Sequence, residues 1–218
     1  MKKIAFYGGS FDPVHVGHTT IAERLMADFE LDEFVFIPAF HAPHKPDRKP
    51  TSAFHRYAML CLATIENVAF KVSTMEFDLP EKPYTVETLE RLNQDLRDAR
   101  IFFVMGADSW QDIPTWREWE KVLRMSNHIV VTRPGFEIDF SHVTEEIRDR
   151  IVDLRNSNTN NANVDLAGGE NRIFITDAVK MDISATRIRR TVGDDSSGWQ
   201  KFVPYDVANY IEKYQIYK

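Results

Sequence analysis

One cysteine, Cys61, cannot close an internal disulfide, and it leaves no thiolate cluster for zinc. Long apolar runs are also missing. The best, residues 101–105, falls far short of the roughly 20 needed to cross a bilayer, so no membrane partner is expected. Met1-Lys2-Lys3 leads into a strand-like run rather than a signal peptide's apolar stretch, which makes the cytoplasm the expected compartment. Positive charge is the minority sign: 27 Lys and Arg against 33 Asp and Glu give a formal net charge of −6. That opposes a broad nucleic-acid surface, which needs clustered cations to displace counterions, and confines any phosphate chemistry to a local site. What remains is an ordinary globular composition, with 43% hydrophobic and 28% charged residues. Its 218 residues suit a single domain, 1–218.

Short β-branched and aromatic runs alternate with stretches of helical period. This pattern predicts an α/β fold, a doubly wound parallel sheet with crossover helices. Strands are expected over 4–7, 33–38, 70–76, 100–105, 128–132 and 172–176, and helices over 19–29, 52–66, 85–96 and 116–123. Residues 203–217 place Val207, Tyr210, Ile211 and Tyr214 on one face, predicting a C-terminal helix that closes the core. The Asn- and Gly-rich stretch 156–172 has almost nothing to bury and reads as a surface loop.

The chemistry concentrates in GGSFDPVHVGH, residues 8–18, directly after the first strand. Gly8 and Gly9 allow a tight turn close to a ligand, and Ser10 adds a hydroxyl. Asp12-Pro13 fixes a turn before a helix that starts near Val16, so His15 lies just before that helix and His18 in its first turn. Free N–H groups and the helix dipole there suit a phosphate, and imidazole donors would stabilise charge growing during attack at phosphorus. Alone, His-x-x-His is more often a loop residue and a cap. Zinc fails on the spacing, and no Lys-Ser/Thr follows the glycines as in a Walker loop.

Taken whole, the stretch resembles the H-x-G-H signature of the nucleotidyltransferase superfamily, with the G-G-S-F-D-P lead-in of nicotinate-nucleotide adenylyltransferases. Further segments resemble that family in order: HAPHK at 41–45, YTVETL at 84–89, the Gly-Ala-Asp and Pro-x-Trp words within 103–122, TRPG at 132–135 and ISATRIRR at 183–190. Ala42 and Ala185 depart from its pattern. The resemblance implies a Rossmann-like enzyme that joins ATP and nicotinate mononucleotide, with Mg²⁺ carried mainly by the ATP phosphates. It implies catalytic roles for His15, His18 and Arg189. Gly8, Gly9, Ser10, Phe11, Gly106, Asp108, Ser184 and Thr186 would hold ATP, and Lys45, Thr85, Trp116 and Arg133 the mononucleotide.

Read without the family, 183–190 is a strand exit feeding a helix whose first turn offers hydroxyls, N–H groups and guanidinium, a second anion site or a capped basic helix. Asp108 follows the strand 100–105 and suits a ribose hydroxyl or an N-cap. Trp116 and Trp119, three apart, are by pattern more often a core stripe than a ligand platform. Phosphopantetheine adenylyltransferases share the histidine word but do not call for Pro-x-Trp. Class I aminoacyl-tRNA synthetases would need an anticodon domain for which the chain has no room. A nucleotide-binding regulatory module without turnover is the alternative from another class. Oligomeric state, a homo-oligomer included, is left open.

Overall fold

The computed structural model describes residues 1–40, 51–77, 84–132, 138–155, 170–177, 179, 181, 183–194 and 196–218. Seven parallel strands form one sheet: β1 (Lys2–Gly9), β2 (Glu33–Pro38), β3 (Phe70–Val72), β4 (Ala99–Gly106), β5 (Asn127–Val131), β6 (Ile151–Asp153) and β7 (Ile173–Thr176). Their order is β3-β2-β1-β4-β5-β7-β6. The helices are α1 (Val16–Phe29), α2 (Ala53–Thr64), α3 (Thr85–Asp95), α4 (Ala107–Gln111), α5 (Trp119–Met125), α6 (Glu145–Arg148), α7 (Ala185–Gly193) and α8 (Tyr205–Lys213).

Strand alternation divides the core in two. Ala5, Tyr7, Phe34, Phe36, Phe102 and Val104 point to one face and meet Leu25 of α1, Met59 of α2, Ile188 of α7 and Val207 and Ile211 of α8. Ile4, Phe6, Val35, Ile37, Ile101 and Phe103 point to the other, against Leu89 of α3, Trp110 of α4 and Leu123 of α5. Helices on both faces make the central strands apolar throughout, as parallel sheets require. The expected C-terminal closure is present: α8 packs on α2, and His55 Nδ1 lies 2.9 Å from the Tyr210 hydroxyl.

Two sequence expectations are corrected, and one strand was not foreseen. The third strand ends at Val72, short of residue 76. After the ladder bond from Ser73 N–H to the Phe36 carbonyl, Ser73 Oγ accepts from Met75 N–H at 3.2 Å and turns the chain away. The helix expected over 116–123 begins only at Trp119, because Pro114 sits in a 3-10 turn, Trp116 is extended and Glu118 lies in the left-handed region at φ 50°. The edge strand β6 went unread, being three residues long with no alternation to betray it. Most of the Asn-rich stretch, 156–169, lies outside the described residues.

The strand order matters for function. From β1 the chain winds outward through β2 to β3, then crosses back to β4 on the other side of β1. Connections therefore diverge between β1 and β4 and leave a crevice at their carboxyl ends, the usual ligand position in such sheets.

Candidate active site

That crevice holds a cavity of about 600 Å³, lined by the ends of β1 and β4 and by residues opening α1, α3, α4 and α7. The volume suits a dinucleotide-sized ligand.

The α1 end is built with little freedom. His15 is the N-cap and His18 the third helical residue, and their rings stack 3.7 Å apart at 20°. The His15 N–H donates to His18 Nδ1 at 3.1 Å, and the His18 N–H donates to the His15 carbonyl at 2.9 Å. A ring nitrogen that accepts carries no proton, so the neutral His18 ring bears its hydrogen on Nε2. Gly17 lies tight against the cap: a Cβ would stand 3.0 Å from the His15 ring, which would have to give way. At Gly9 a Cβ would meet the Phe11 ring at 3.0 Å.

Phe11 is buried at φ 44°, a left-handed conformation costly for a bulky residue. Its ring meets His18 edge-on at 5.0 Å and Tyr7 at 5.5 Å. The strained turn is gripped on both sides. Before it, Arg56 Nη1 donates to the Ser10 carbonyl at 2.7 Å. After it, Arg189 Nη1 donates to the Asp12 carbonyl at 2.6 Å and the Tyr217 hydroxyl to Asp12 Oδ1 at 2.8 Å.

Arg56 was not singled out in the sequence. Only 1% exposed, it also donates to the carbonyls of Thr51 at 2.9 Å, Ala39 at 2.6 Å and Phe40 at 3.3 Å. Burial lowers its pKa, and neighbouring Asp12 opposes the shift. Its signal was legible in principle: an arginine on the core-facing positions of α2, beside Ala53, Met59 and Leu60. For Tyr217, whose partner lies 205 residues away, no local signal existed.

The α7 end faces the same space. Ser184 is its N-cap, and Ile183, Ser184, Ala185 and Thr186 line the cavity. The helix starts of α1 and α7 are neighbours, since a Cβ on Gly17 would lie 3.8 Å from that of Ile183. Arg189 stands behind this wall rather than in the lining, with Nη2 on the Thr186 hydroxyl at 3.1 Å.

At the β4 exit, Gly106 rather than Asp108 is the N-cap of α4, and Asp108 is exposed in the first turn. A Cβ on Gly106 would strike Asp108 Oδ1 at 2.6 Å, so the glycine lets that carboxylate fold back over the strand end. The opposite wall carries Tyr84, Thr85, Thr88 and Trp116. Thr85 is the first residue of α3. Trp116, half-buried, packs partly on the second core and partly on the cavity. Glu76, Asp112 and Arg117 also line the space and were not foreseen.

The structure thus brings together His15, His18, Gly8, Gly9, Ser10, Phe11, Gly106, Asp108, Ser184, Thr186, Thr85 and Trp116 around one cavity, with Arg189 behind it. Lys45 and Arg133, with Ala42, lie outside the described residues.

A sheet crevice with adjoining helix N-termini, glycine approaches and a histidine donor defines a nucleotide-binding α/β protein of the phosphate-handling kind. Comparison with known proteins narrows the class. Residues 6–191 match the cytidylyltransferase-like family. A relative from Thermoanaerobacter sp. (strain X514), named "probable nicotinate-nucleotide adenylyltransferase", is 35% identical over 99% of this chain and 94% of its own length. One of the same name from Clostridium kluyveri is 34% identical over 100% of both. The nicotinic acid mononucleotide adenylyltransferase of Plasmodium falciparum, solved with NaAD, superposes with a TM-score of 0.75 at 21% identity, covering 100% of this chain and 98% of that one. This last likeness establishes the Rossmann-like fold. The chain belongs to the cytidylyltransferase-like family, in its nicotinate-nucleotide adenylyltransferase branch.

Proposed function

We propose that the chain transfers the adenylyl group of ATP to nicotinate mononucleotide, giving deamido-NAD and pyrophosphate. The observation that carries this reading is the meeting of two helix N-termini, α1 with its His15–His18 stack and α7 with Ser184 and Thr186, at the β1/β4 crevice. The triphosphate lies between them, and the adenosine runs along Gly8, Gly9 and Gly106 with its ribose on Asp108. The mononucleotide occupies the other end, its ring on Trp116 and its carboxylate at the N–H groups opening α3, around Thr85. Lys45 and Arg133 are assigned its phosphate from the family resemblance alone.

The mononucleotide phosphate is already an anion and attacks the α-phosphorus of ATP in line. The bond to the bridging oxygen breaks and pyrophosphate leaves with its electron pair. No covalent enzyme intermediate is needed, so catalysis consists of positioning and charge stabilisation. His18 Nε2–H donates where negative charge grows, and His15 braces its ring. Arg189, bound to Asp12 and Thr186, supplies positive charge from behind the phosphates. Among the described residues no three His, Cys, Asp or Glu side chains gather to hold a metal. When bound, Mg²⁺ would be carried mainly by the ATP phosphates, where it would neutralise charge. The expected setting is the cytoplasm, with small-molecule substrates only.

Incubation with ATP, Mg²⁺ and one acceptor at a time, followed by pyrophosphate release, tests the reading. Nicotinate mononucleotide should turn over fastest. Equal release with phosphopantetheine, or tight ATP binding without release on any acceptor, would overturn it.

A further inference from the structure

We propose that Tyr217, at the far end of the chain, is a positioning residue for this reaction: its hydroxyl, donating to Asp12, locks the strained turn that seats His18. The proposal rests on the adenylyl-transfer reading for its kinetics but not for its geometry. The bond is 2.8 Å long, and Thr51 N–H approaches the other Asp12 oxygen at 3.4 Å. Asp12 is 7% exposed, so its carboxylate meets the tail largely out of water. Burial first, and Asp12 second, raise the tyrosine's pKa, which keeps it a donor throughout the working range.

The tail is placed for this contact at some conformational cost. Gln215 and Tyr217 both sit at positive φ, 53° and 75°, although neither is glycine. Ile216 between them is 7% exposed in the first core, its N–H on the Ile211 carbonyl at 3.0 Å. The Tyr217 carbonyl lies so close to Gly193 that a Cβ there would stand 3.2 Å away. Such backbone persists where the surroundings over-determine it, and it clusters at sites that must be held rigid. Phe11, one residue before Asp12, is the third such residue of this network, and its ring touches His18. A route of direct contacts therefore runs from the tail hydroxyl through Asp12 and Phe11 to the imidazole. Arg56 and Arg189 hold only main-chain oxygens of the turn, whereas Tyr217 is bonded to the Asp12 side chain itself.

The test uses the full-length Tyr217→Phe variant, which deletes only the hydroxyl, with Asp12→Ala, which removes its acceptor, and the double variant. Pyrophosphate release should show kcat lowered about tenfold by Tyr217→Phe, with KM for ATP within about twofold of the parent. The double variant should be no slower than Asp12→Ala alone, because both changes break one bond. Independently of turnover, the His18 ring-proton NMR signals of the ligand-free protein should shift in Tyr217→Phe. A parental kcat with parental ring signals, or additive losses in the double variant, would overturn the proposal. So would a loss of rate that merely follows melting and vanishes on cooling. Were the parent protein itself inactive with nicotinate mononucleotide, the functional reading would fall while the ring signals still decided the role of Tyr217.

Discussion

In the proposed mechanism His18 carries two separable tasks on its two ring nitrogens, and substitutions can divide them. Nδ1 accepts the His15 N–H at 3.1 Å and caps α1, whereas Nε2 is the proposed donor toward the phosphates. An asparagine amide oxygen stands about where Nδ1 does, so His18→Asn should keep the cap and lose the donor. A glutamine amide reaches about where Nε2 does, so His18→Gln should keep a donor and lose the cap. A lost N-terminal cap bond costs about 0.5–2 kcal/mol of stability. In a domain of this size, each kcal/mol lowers the melting temperature by about 2–4 °C. A lost transition-state donor costs about 2.7–4 kcal/mol, which is roughly 100- to 1,000-fold in kcat. His18→Asn should thus melt close to the parent with kcat down at least about 100-fold and KM for ATP little changed. His18→Gln should melt a few degrees lower yet retain more of the rate. Calorimetry and steady-state pyrophosphate release on both variants decide it. If His18→Asn turned over normally, or both variants lost rate equally at equal stability, the assignment of the donor to Nε2 would be refuted.

Trp116→Ala should raise KM for the mononucleotide by about 10- to 100-fold with KM for ATP nearly unchanged, since stacking is worth about 1–3 kcal/mol. Being half-buried, the residue should cost less on truncation than the about 3–5 kcal/mol of a full core tryptophan, and Trp116→Phe should recover much of the affinity. A large fall in melting temperature, or equal weakening toward both substrates, would return it to the core. Arg56→Met leaves four carbonyls without their donor and should cost about 3 kcal/mol, or roughly 6–12 °C in melting temperature. A variant melting like the parent would show that the network is redundant. His128 is buried, with Nδ1 on the Ser126 carbonyl at 3.1 Å, and burial pushes its pKa down to about 3. Its contribution is complete above about pH 6.5. As pH falls from there toward 3, the unfolded chain takes a proton that the folded chain refuses, and stability drops by up to about 1.4 kcal/mol per pH unit. Urea unfolding of His128→Leu between pH 7 and 4 should lack this part of the slope, and a slope identical to the parent's would exclude the residue.

Legibility in the sequence followed contact distance along the chain. The β1 to α1 stretch is local: strand, paired glycines, turn and helix cap lie within about twenty residues, so residue types and spacing describe the phosphate loop almost completely. Trp116 shows how local pattern can mislead. Its three-residue spacing from Trp119 copies a helical stripe, but Pro114 and the left-handed Glu118 put the break between them, and that break turns Trp116 to the cavity. Arg56 was half legible, as a cation at a core-facing helix position. Tyr217 was not legible at all, and of Arg189 only the phosphate role was, because the contacts of both with Asp12 span 205 and 177 residues.

The same division explains how a chain of net charge −6 can bind polyanions. Its local field is made by oriented dipoles at the β1/β4 crevice: the starts of α1, α3 and α7, and an imidazole whose tautomer is set by a backbone N–H. Arg56 and Arg189 donate to the Ser10 and Asp12 carbonyls on either side of Phe11, so they help fix where those dipoles point. Fixed dipoles need no reorganisation when charge moves from attacking phosphate to leaving pyrophosphate, whereas mobile surface cations would have to follow it. A bulk excess of positive charge is therefore unnecessary.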